Sequence, residues 1–406
     1  MDDVVVVGAG QAGAALVARL RDKGFEGRIT LIGAEPLPPY QRPPLSKAYL
    51  LGEMGVERLL LRPESYYAFA TIELRTDTAV TAINPDARRV TLTRGDALPY
   101  GHLVLATGAV PRRLPATIGG DMAGVHVVRT LADVDALAPE CRPGARLLIV
   151  GGGYIGLEAA AVAAKLGLQV TLIEAAERIL GRVASPETAN FFRDLHAAHG
   201  VDIREGVALE RLTGDAGRVT GARLADGSDL AADLVIVGIG IAPDTALAEA
   251  AGLATDNGIA VDAQGRTSTP GIWAVGDCAS FPHQGGRLRL ESVPNAIDMA
   301  ECVADNIMGA DAPYVPKPWF WSDQYDVKLQ IAGLNTGYAH VVTRPGTRPG
   351  SVSFWYFDGN DRLLAVDAAN EPRAYMIGKR LIEAGRSPTP QQVADPGTDL
   401  KALSAP

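Results

Sequence analysis

The sequence predicts an α/β protein: two Rossmann-like dinucleotide-binding domains plus a C-terminal α+β domain. Three observations predict it. Val4-Val5-Val6-Val7 runs into Gly8, Gly10 and Gly13 at the G-x-G-x-x-G spacing. The unit recurs where Arg146-Leu147-Leu148-Ile149-Val150 runs into Gly151, Gly153 and Gly156. From about Tyr314 the pattern changes to short alternating strands with a dense aromatic opening.

The first unit has the context its motif requires. Four β-branched residues suit a strand buried on both faces of a parallel sheet. Ala14 to Leu20 reads as a helix that stops near Lys23-Gly24. Gly8 permits the tight turn, Gly10 lets a pyrophosphate approach the backbone, and Gly13 lets the helix lie close to the strand. The helix N-terminus offers N–H groups and a positive dipole end to the phosphates. A second apolar run, Ile29 to Ile32, ends near Glu35, which can accept from a ribose hydroxyl.

Between the two units, Pro36 to Leu50 is proline-stiffened and irregular, with Arg42 and Lys47 just past the second strand. Lys47 is expected on a short helix after Pro44. Both cations could equally be solvated. Short strands and turns follow from Ile72, and the buried run Leu103 to Leu105 ends in Ala106, Thr107 and Gly108, suited to close cofactor approach. Ala109 to Pro115 reads as a domain crossing.

The second unit places Tyr154 and Ile155 between Gly153 and Gly156, starts its helix at Leu157-Glu158, and delivers Glu174 at the end of its second strand. A carboxylate there takes ribose hydroxyls and repels a 2′-phosphate, so NADH is expected over NADPH. Arg178, four residues on, softens that preference. Another glycine-rich strand end follows at Gly238, Ile239 and Gly240. Two complete fingerprints imply two dinucleotides, most economically one flavin and one nicotinamide. The helix Pro186 to His199 carries His196 and His199 one turn apart, but no third ligand is near, so both are expected at the surface and no metal is expected.

A buried strand ends at Val275-Gly276-Asp277, presenting a carboxylate for ribityl or ribose hydroxyls; the alternative is a helix N-cap. The helix from Val293 to about Ile307 offers a second N-terminus to the flavin. The aromatic run Trp319-Phe320-Trp321 opens the last domain, where Trp321 could cover the flavin ring. Strands Lys328–Ala332, Ser351–Phe357 and Leu363–Asp367 and a helix near Tyr375–Ala384 complete it; the tail after Ser387 reads as irregular. Lys328, Arg289 and Lys379 are candidates for a local basic patch.

Composition narrows the function. The chain has 406 residues, room for two or three domains, and 47% hydrophobic content typical of soluble proteins. A net charge of −9 gives no support to nucleic-acid or lipid binding. No apolar run is long enough to span a membrane. A core strand begins at Val4, leaving no room for a signal peptide. The three cysteines, Cys141, Cys278 and Cys302, form no C-x-x-C, and a cytoplasmic setting is expected.

The chain resembles the FAD-dependent, NADH-using ferredoxin reductases that feed bacterial cytochrome P450 and dioxygenase systems. The resemblance covers essentially the whole chain. Its specific motifs are Arg42-Pro43-Pro44-Leu45-Ser46-Lys47 and Pro318-Trp319-Phe320-Trp321-Ser322-Asp323-Gln324; the glycine motifs are shared more widely. It implies FAD at Ala12, Lys47, Val80, Arg129, Asp277 and Val293, NAD at the second fingerprint, and a [2Fe–2S] ferredoxin as protein partner. Some relatives place an aspartate where Ala34 stands, which moves the adenosine-ribose contact to Glu35. Disulfide-active members of the wider superfamily carry cysteines soon after the first fingerprint; this chain has none before Arg113.

The expected domains are 1–112 with 241–314 for FAD, 113–240 for NAD, and 315–406 as the C-terminal domain. Lys47 and Glu158 are expected to form an ion pair where flavin and nicotinamide meet, Glu158 from the first turn of its helix. The alternatives are a monodehydroascorbate or rubredoxin reductase, and a redox-sensing flavoprotein.

Overall fold

The computed structural model describes residues 3–403, which form two compact units. Among the described residues the first comprises 3–42, 54–110 and 241–317; the second comprises 43–53, 111–240 and 318–403.

In the first unit, five parallel strands lie in the order Ile272–Ala274, His102–Leu105, Val4–Val7, Ile29–Ile32, Ile72–Arg75. Val4 to Val7 and Ile29 to Ile32 are buried throughout, as their unbroken apolar runs require. The chain crosses from Val4–Val7 to Ile29–Ile32 on one side and to His102–Leu105 on the other. The strand order therefore reverses at the carboxyl end of Val4–Val7, where such sheets bind ligands. The helix Gln11–Asp22 covers one face and packs along the helix Val293–Ile307.

The second unit repeats the design. Its parallel sheet runs Asp202–Glu205, Gln169–Glu174, Arg146–Val150, Leu234–Val237, Val125–His126. Here the order reverses between Arg146–Val150 and Leu234–Val237. The helix Tyr154–Lys165 starts at Tyr154 rather than at the expected Leu157, so Gly156 lies inside it and Glu158 falls past its first turn.

The same unit contains an antiparallel sheet ordered Trp319–Gln324, Val327–Gly333, Leu363–Ala369, Val352–Phe357, His340–Pro345. The helix Pro372–Glu383 packs on it through Ala374, Ile377 and Leu381. The structure corrects the sequence reading here in three places. The aromatic run is itself a strand: Trp319 and Trp321 share one face, and Phe320 shares the other with the buried Ser322 and Gln324. His340–Pro345 is an edge strand that ends in its proline. The tail is not irregular: Pro390–Ala394 and Leu400–Leu403 are helical, and Val393 and Leu400 are buried. Pro390 is the first residue of its helix, where proline fits, and Thr389 and Gln392 form a capping box before it.

Candidate functional site

Both fingerprints fold into the same cradle. A Cβ on Gly8 would fall 2.1 Å from the carbonyl oxygen of Ala106, and one on Gly151 would fall 2.4 Å from that of Gly238. Each glycine thus seals the strand ends at the switch point, with φ of 114° and 111°. A Cβ on Gly13 or Gly156 would meet the carbonyl oxygen of Gly8 or Gly151 at 2.1 Å. The middle glycines differ: a Cβ on Gly10 or Gly153 meets nothing within 4 Å. Gly10 and Gly153 are the N-caps, with no side-chain cap and no acidic residue in the first turn. Both helices therefore present free N–H groups to open space, the arrangement that seats a pyrophosphate. The residues fit two dinucleotides.

In the first unit several expected residues converge. A Cβ on Gly276 would lie 3.1 Å from Ala12 Cβ and 3.8 Å from Ala296 Cβ. This brings Asp277 beside the first fingerprint helix and beside the turn that begins at Val293. Asp277 is the middle residue of the 3₁₀ turn Gly276–Cys278, whose N-cap is Val275, so the N-cap alternative does not hold. Thr107 donates to the backbone oxygen of Asp244 at 2.7 Å, and Gly108 adopts φ of 73°. Glu35 accepts from Arg42 Nη2 at 2.7 Å and from the Tyr40 hydroxyl, and the Arg42 guanidinium lies over the Tyr40 ring. Glu35, Tyr40 and Arg42 thus stand in one small cluster. Val80 is buried on the strand Val80–Asn84. Arg289 is not a surface cation: its side chain is 10% exposed, pairs with Glu291 at 2.6 Å and donates to the Asp277 carbonyl.

The second unit holds the ion pair. Lys47 Nζ lies 2.6 Å from Glu158 Oε2, with Glu158 3% exposed. Lys47 sits in the turn just after the 3₁₀ helix Pro43–Ser46 rather than on a helix. Its Nζ also donates to the Pro43 carbonyl at 3.3 Å. Two donors missed in the sequence complete the carboxylate: Ser46 Oγ donates to Oε2 at 3.1 Å, and Ser322 Oγ to Oε1 at 2.7 Å. Ser46 stands beside Lys47 and Ser322 beside Trp321, so the motifs contained the signal, but only folding assigns the partner. Trp321 lies on the strand face opposite Ser322 and packs against Trp319 at 5.6 Å between centroids.

Around the second fingerprint, Glu174 accepts from the amides of Gly152 and Ala176, each at 2.7 Å. Tyr154 packs against Phe320 at 5.1 Å between centroids, and burial drives its phenol pKa well up. Ile155 and Ile239 remain 47% and 36% exposed, an apolar rim beside the open helix N-terminus. Gly240 has φ of 95°. Arg129 ends the segment before the helix Leu131–Leu137, its amide bonded to Asp133. His196 is not a surface residue: it is fully buried, while His199 is exposed. No group of three or more metal-ligating side chains occurs among the described residues. No helix of the described residues is long and apolar enough to cross a membrane.

Two dinucleotide cradles in one chain, with Lys47 paired to the buried Glu158 at the second, define a two-dinucleotide oxidoreductase. The chain belongs to the pyridine nucleotide-disulphide oxidoreductase family, whose model matches residues 2–300, and residues 319–404 match the reductase C-terminal model. It is 47% identical to a ferredoxin–NAD(P)+ reductase of Sphingomonas sp over 100% of this chain and 98% of the relative. Putidaredoxin reductase, solved in covalent complex with putidaredoxin, superposes with a TM-score of 0.94 at 42% identity, over 99% and 97% of the two chains. The ferredoxin reductase for the CYP199A2 system of Rhodopseudomonas palustris gives a TM-score of 0.96 at 40% identity over 100% of both.

Proposed function

We infer that the protein is an FAD-dependent NADH:ferredoxin oxidoreductase. It passes electrons to a [2Fe–2S] ferredoxin that serves a cytochrome P450 or related oxygenase. The observation that carries this reading is the pair of open cradles, Gly10 and Gly153, in a chain so similar throughout to ferredoxin reductases.

Bound flavin would supply the chemistry that side chains lack: it takes the two electrons of one hydride together and gives them up singly to a one-electron acceptor. The chain supplies placement and charge. Residues 1–112 and 241–314 are assigned to FAD, 113–240 to NAD and 315–406 to the C-terminal domain. Gly8, Gly10, Ala12 and Gly13 seat the flavin pyrophosphate, Glu35 takes the ribose, and Arg42 belongs to the same cofactor site. Val80, Ala106, Thr107, Gly108, Arg129, Asp277, Val293 and Trp321 complete that site. Gly151, Gly153, Tyr154, Ile155, Gly156, Glu174, Gly238, Ile239 and Gly240 take NADH.

Lys47 and Glu158 are assigned to the place where the two reactive rings meet. The ammonium offsets the negative charge of reduced flavin, and the carboxylate holds the ammonium and seats the nicotinamide carboxamide. Neither needs to exchange a proton with substrate, because hydride transfer itself moves the hydrogen. The three cysteines are unpaired, consistent with a cytoplasmic place of work.

The test is steady-state NADH oxidation against a panel of [2Fe–2S] ferredoxins, a rubredoxin and monodehydroascorbate. Ferredoxin reduction well above the others is expected. Preference for rubredoxin or monodehydroascorbate reassigns the acceptor. Slow turnover with every acceptor supports a redox sensor.

A further inference from the structure

One buried cluster lies beyond the groups assigned so far. His196 is fully buried, yet both ring nitrogens are engaged. Nε2 lies 2.8 Å from Gln324 Oε1, and Nδ1 lies 3.1 Å from the Tyr325 hydroxyl. Gln324, also fully buried, gives its Nε2 to Ser322 Oγ at 3.1 Å. Ser322 gives its hydroxyl to Glu158 Oε1 at 2.7 Å. All of these residues belong to the second compact unit.

The donor and acceptor roles follow from the inner end outward. Glu158 Oε2 is taken by Lys47 and Ser46, and a carboxylate only accepts. Ser322 must therefore donate to Oε1. A hydroxyl has one proton, so toward Gln324 the serine oxygen accepts, and the amide nitrogen faces it. The amide oxygen then faces His196, so Nε2 carries the imidazole proton. Burial pulls this imidazole down to about 4, against the opposing hydrogen bond to Gln324, so the ring is neutral near pH 7. A neutral ring has one N–H, so Nδ1 accepts and Tyr325 donates. Every donor in the chain points toward Glu158.

This is not a path for protons. Hydroxyls and imidazoles relay protons readily, but an amide does not, and Gln324 stands in the middle. What the chain transmits is orientation. Its outer end is fixed as well. Tyr325 occupies the hairpin turn between Gln324 and Val327 with φ of 55°, a left-handed conformation unusual for a bulky residue. Its ring stacks on His199 at 3.6 Å between centroids.

We propose that His196, Gln324 and Ser322 are positioning residues for Glu158. The Nε2–H tautomer of His196 fixes which way the Gln324 amide faces. That amide fixes the Ser322 proton on Oε1 and leaves Oε2 to Lys47 and Ser46. Loss of any link lets Ser322 turn away and the carboxylate rotate, which moves the ammonium. This rests on the reading of Glu158 as part of the hydride site, and the test separates the two.

The first arm is a double-mutant cycle in stopped flow on the FAD-loaded protein. Gln324→Leu, Ser322→Ala and His196→Phe should each slow hydride transfer from NADH roughly tenfold, the scale of a modest misplacement of reacting groups. Placed on Glu158→Gln, the same changes should have no further effect. His196→Gln, whose amide can return a donor near the lost Nε2–H, should recover most of the rate. Equal effects in the two backgrounds overturn the proposal. The second arm needs no turnover: ¹⁵N-histidine NMR of the unmodified holoprotein. It should show one buried histidine as a fixed Nε2–H tautomer, lost as a signal in His196→Phe. An Nδ1–H tautomer overturns the chain even if the kinetics agree. Should Glu158→Gln alone leave hydride transfer unchanged, the hydride-site reading fails and so does the positioning role, whereas the NMR arm still reports whether the chain is built as described.

Discussion

The carboxylate of Glu174 accepts the amide of Gly152 at 2.7 Å, so the residue at the end of the second strand also holds the fingerprint loop. Glu35, three residues past the end of Ile29–Ile32 in the first unit, accepts instead from the side chains of Arg42 and Tyr40. Val7 pairs with Ile32 and Val150 with Ile173, so Gly33 is the residue that matches Glu174, and the two carboxylates differ both in register and in what they support.

Glu174→Ala should therefore do two things. The kcat/KM ratio for NADH over NADPH falls roughly tenfold, as the repulsion of a 2′-phosphate is lost. The KM for both donors rises, because the Gly152 amide loses its anchor. Steady-state kinetics with both nucleotides measures each effect. An unchanged ratio removes Glu174 from nucleotide selection.

The middle glycines separate the two sites. Gly10→Val puts its Cβ into open space at the first helix N-terminus, where a Cβ meets nothing within 4 Å. The variant should fold and lose flavin, read from absorbance and from FAD released on denaturation. Gly153→Val should keep flavin and lose NADH binding, read as a large rise in KM. Flavin retention in Gly10→Val would place the flavin elsewhere.

Lys47→Met and Glu158→Gln should each slow NADH-to-flavin hydride transfer by about tenfold or more in stopped flow, about 1.4 kcal/mol of barrier per tenfold. Lys47→Met should also lower the flavin midpoint potential, since a cation that favours the reduced form is gone. If both rate and potential are unchanged in each variant, the pair has only a structural role.

Much of this was legible because it is local. Val4 to Val7, the glycine spacing and Ile29 to Ile32 carry their structure within a few residues, and the strand bounds follow. Glu158 was legible for the same reason, as it stands two residues after Gly156. His196 was not. Its polarity and its place before Gly200 suggest a surface, and its partner Gln324 lies 128 residues away. Nothing near His196 signals that a buried acceptor will arrive from another element. The tail misled for a different reason. Prolines there suggested irregular chain, yet Pro390 occupies the one helix position where a missing N–H costs little.

The cysteines also test the family name against this chain. Burial pushes the Cys141 thiol up to about 11, and burial raises Cys278 and Cys302 too. Thiolates are scarce at neutral pH, and no cysteine has a disulfide partner among the described residues. Brief treatment with iodoacetamide near neutral pH should leave ferredoxin reduction intact. Stoichiometric inactivation by one alkylation would show a working thiol.

The last prediction concerns Asp367, which is 1% exposed. Thr188 Oγ1 donates to its Oδ2 at 2.9 Å, and the Tyr356 hydroxyl donates to the same oxygen. Burial pushes this carboxyl up to about 6, with both hydrogen bonds opposing the rise. In the unfolded chain an aspartate ionises near about 3.9. The folded state therefore holds more protons between those two values, and stability must fall as pH rises through that window. The favourable contribution is complete below the unfolded value and lost above the folded one, on the order of 3 kcal/mol across about two units. Asp367→Asn removes the titration and keeps an acceptor oxygen for both hydroxyls. The melting temperature of this variant, relative to the unmodified holoprotein, should rise by roughly 5–10 °C between about pH 4 and pH 7. Differential scanning fluorimetry across that range measures it. A difference that stays flat with pH would mean that Asp367 ionises alike in the folded and unfolded chains, and that its burial is compensated by the two hydroxyls.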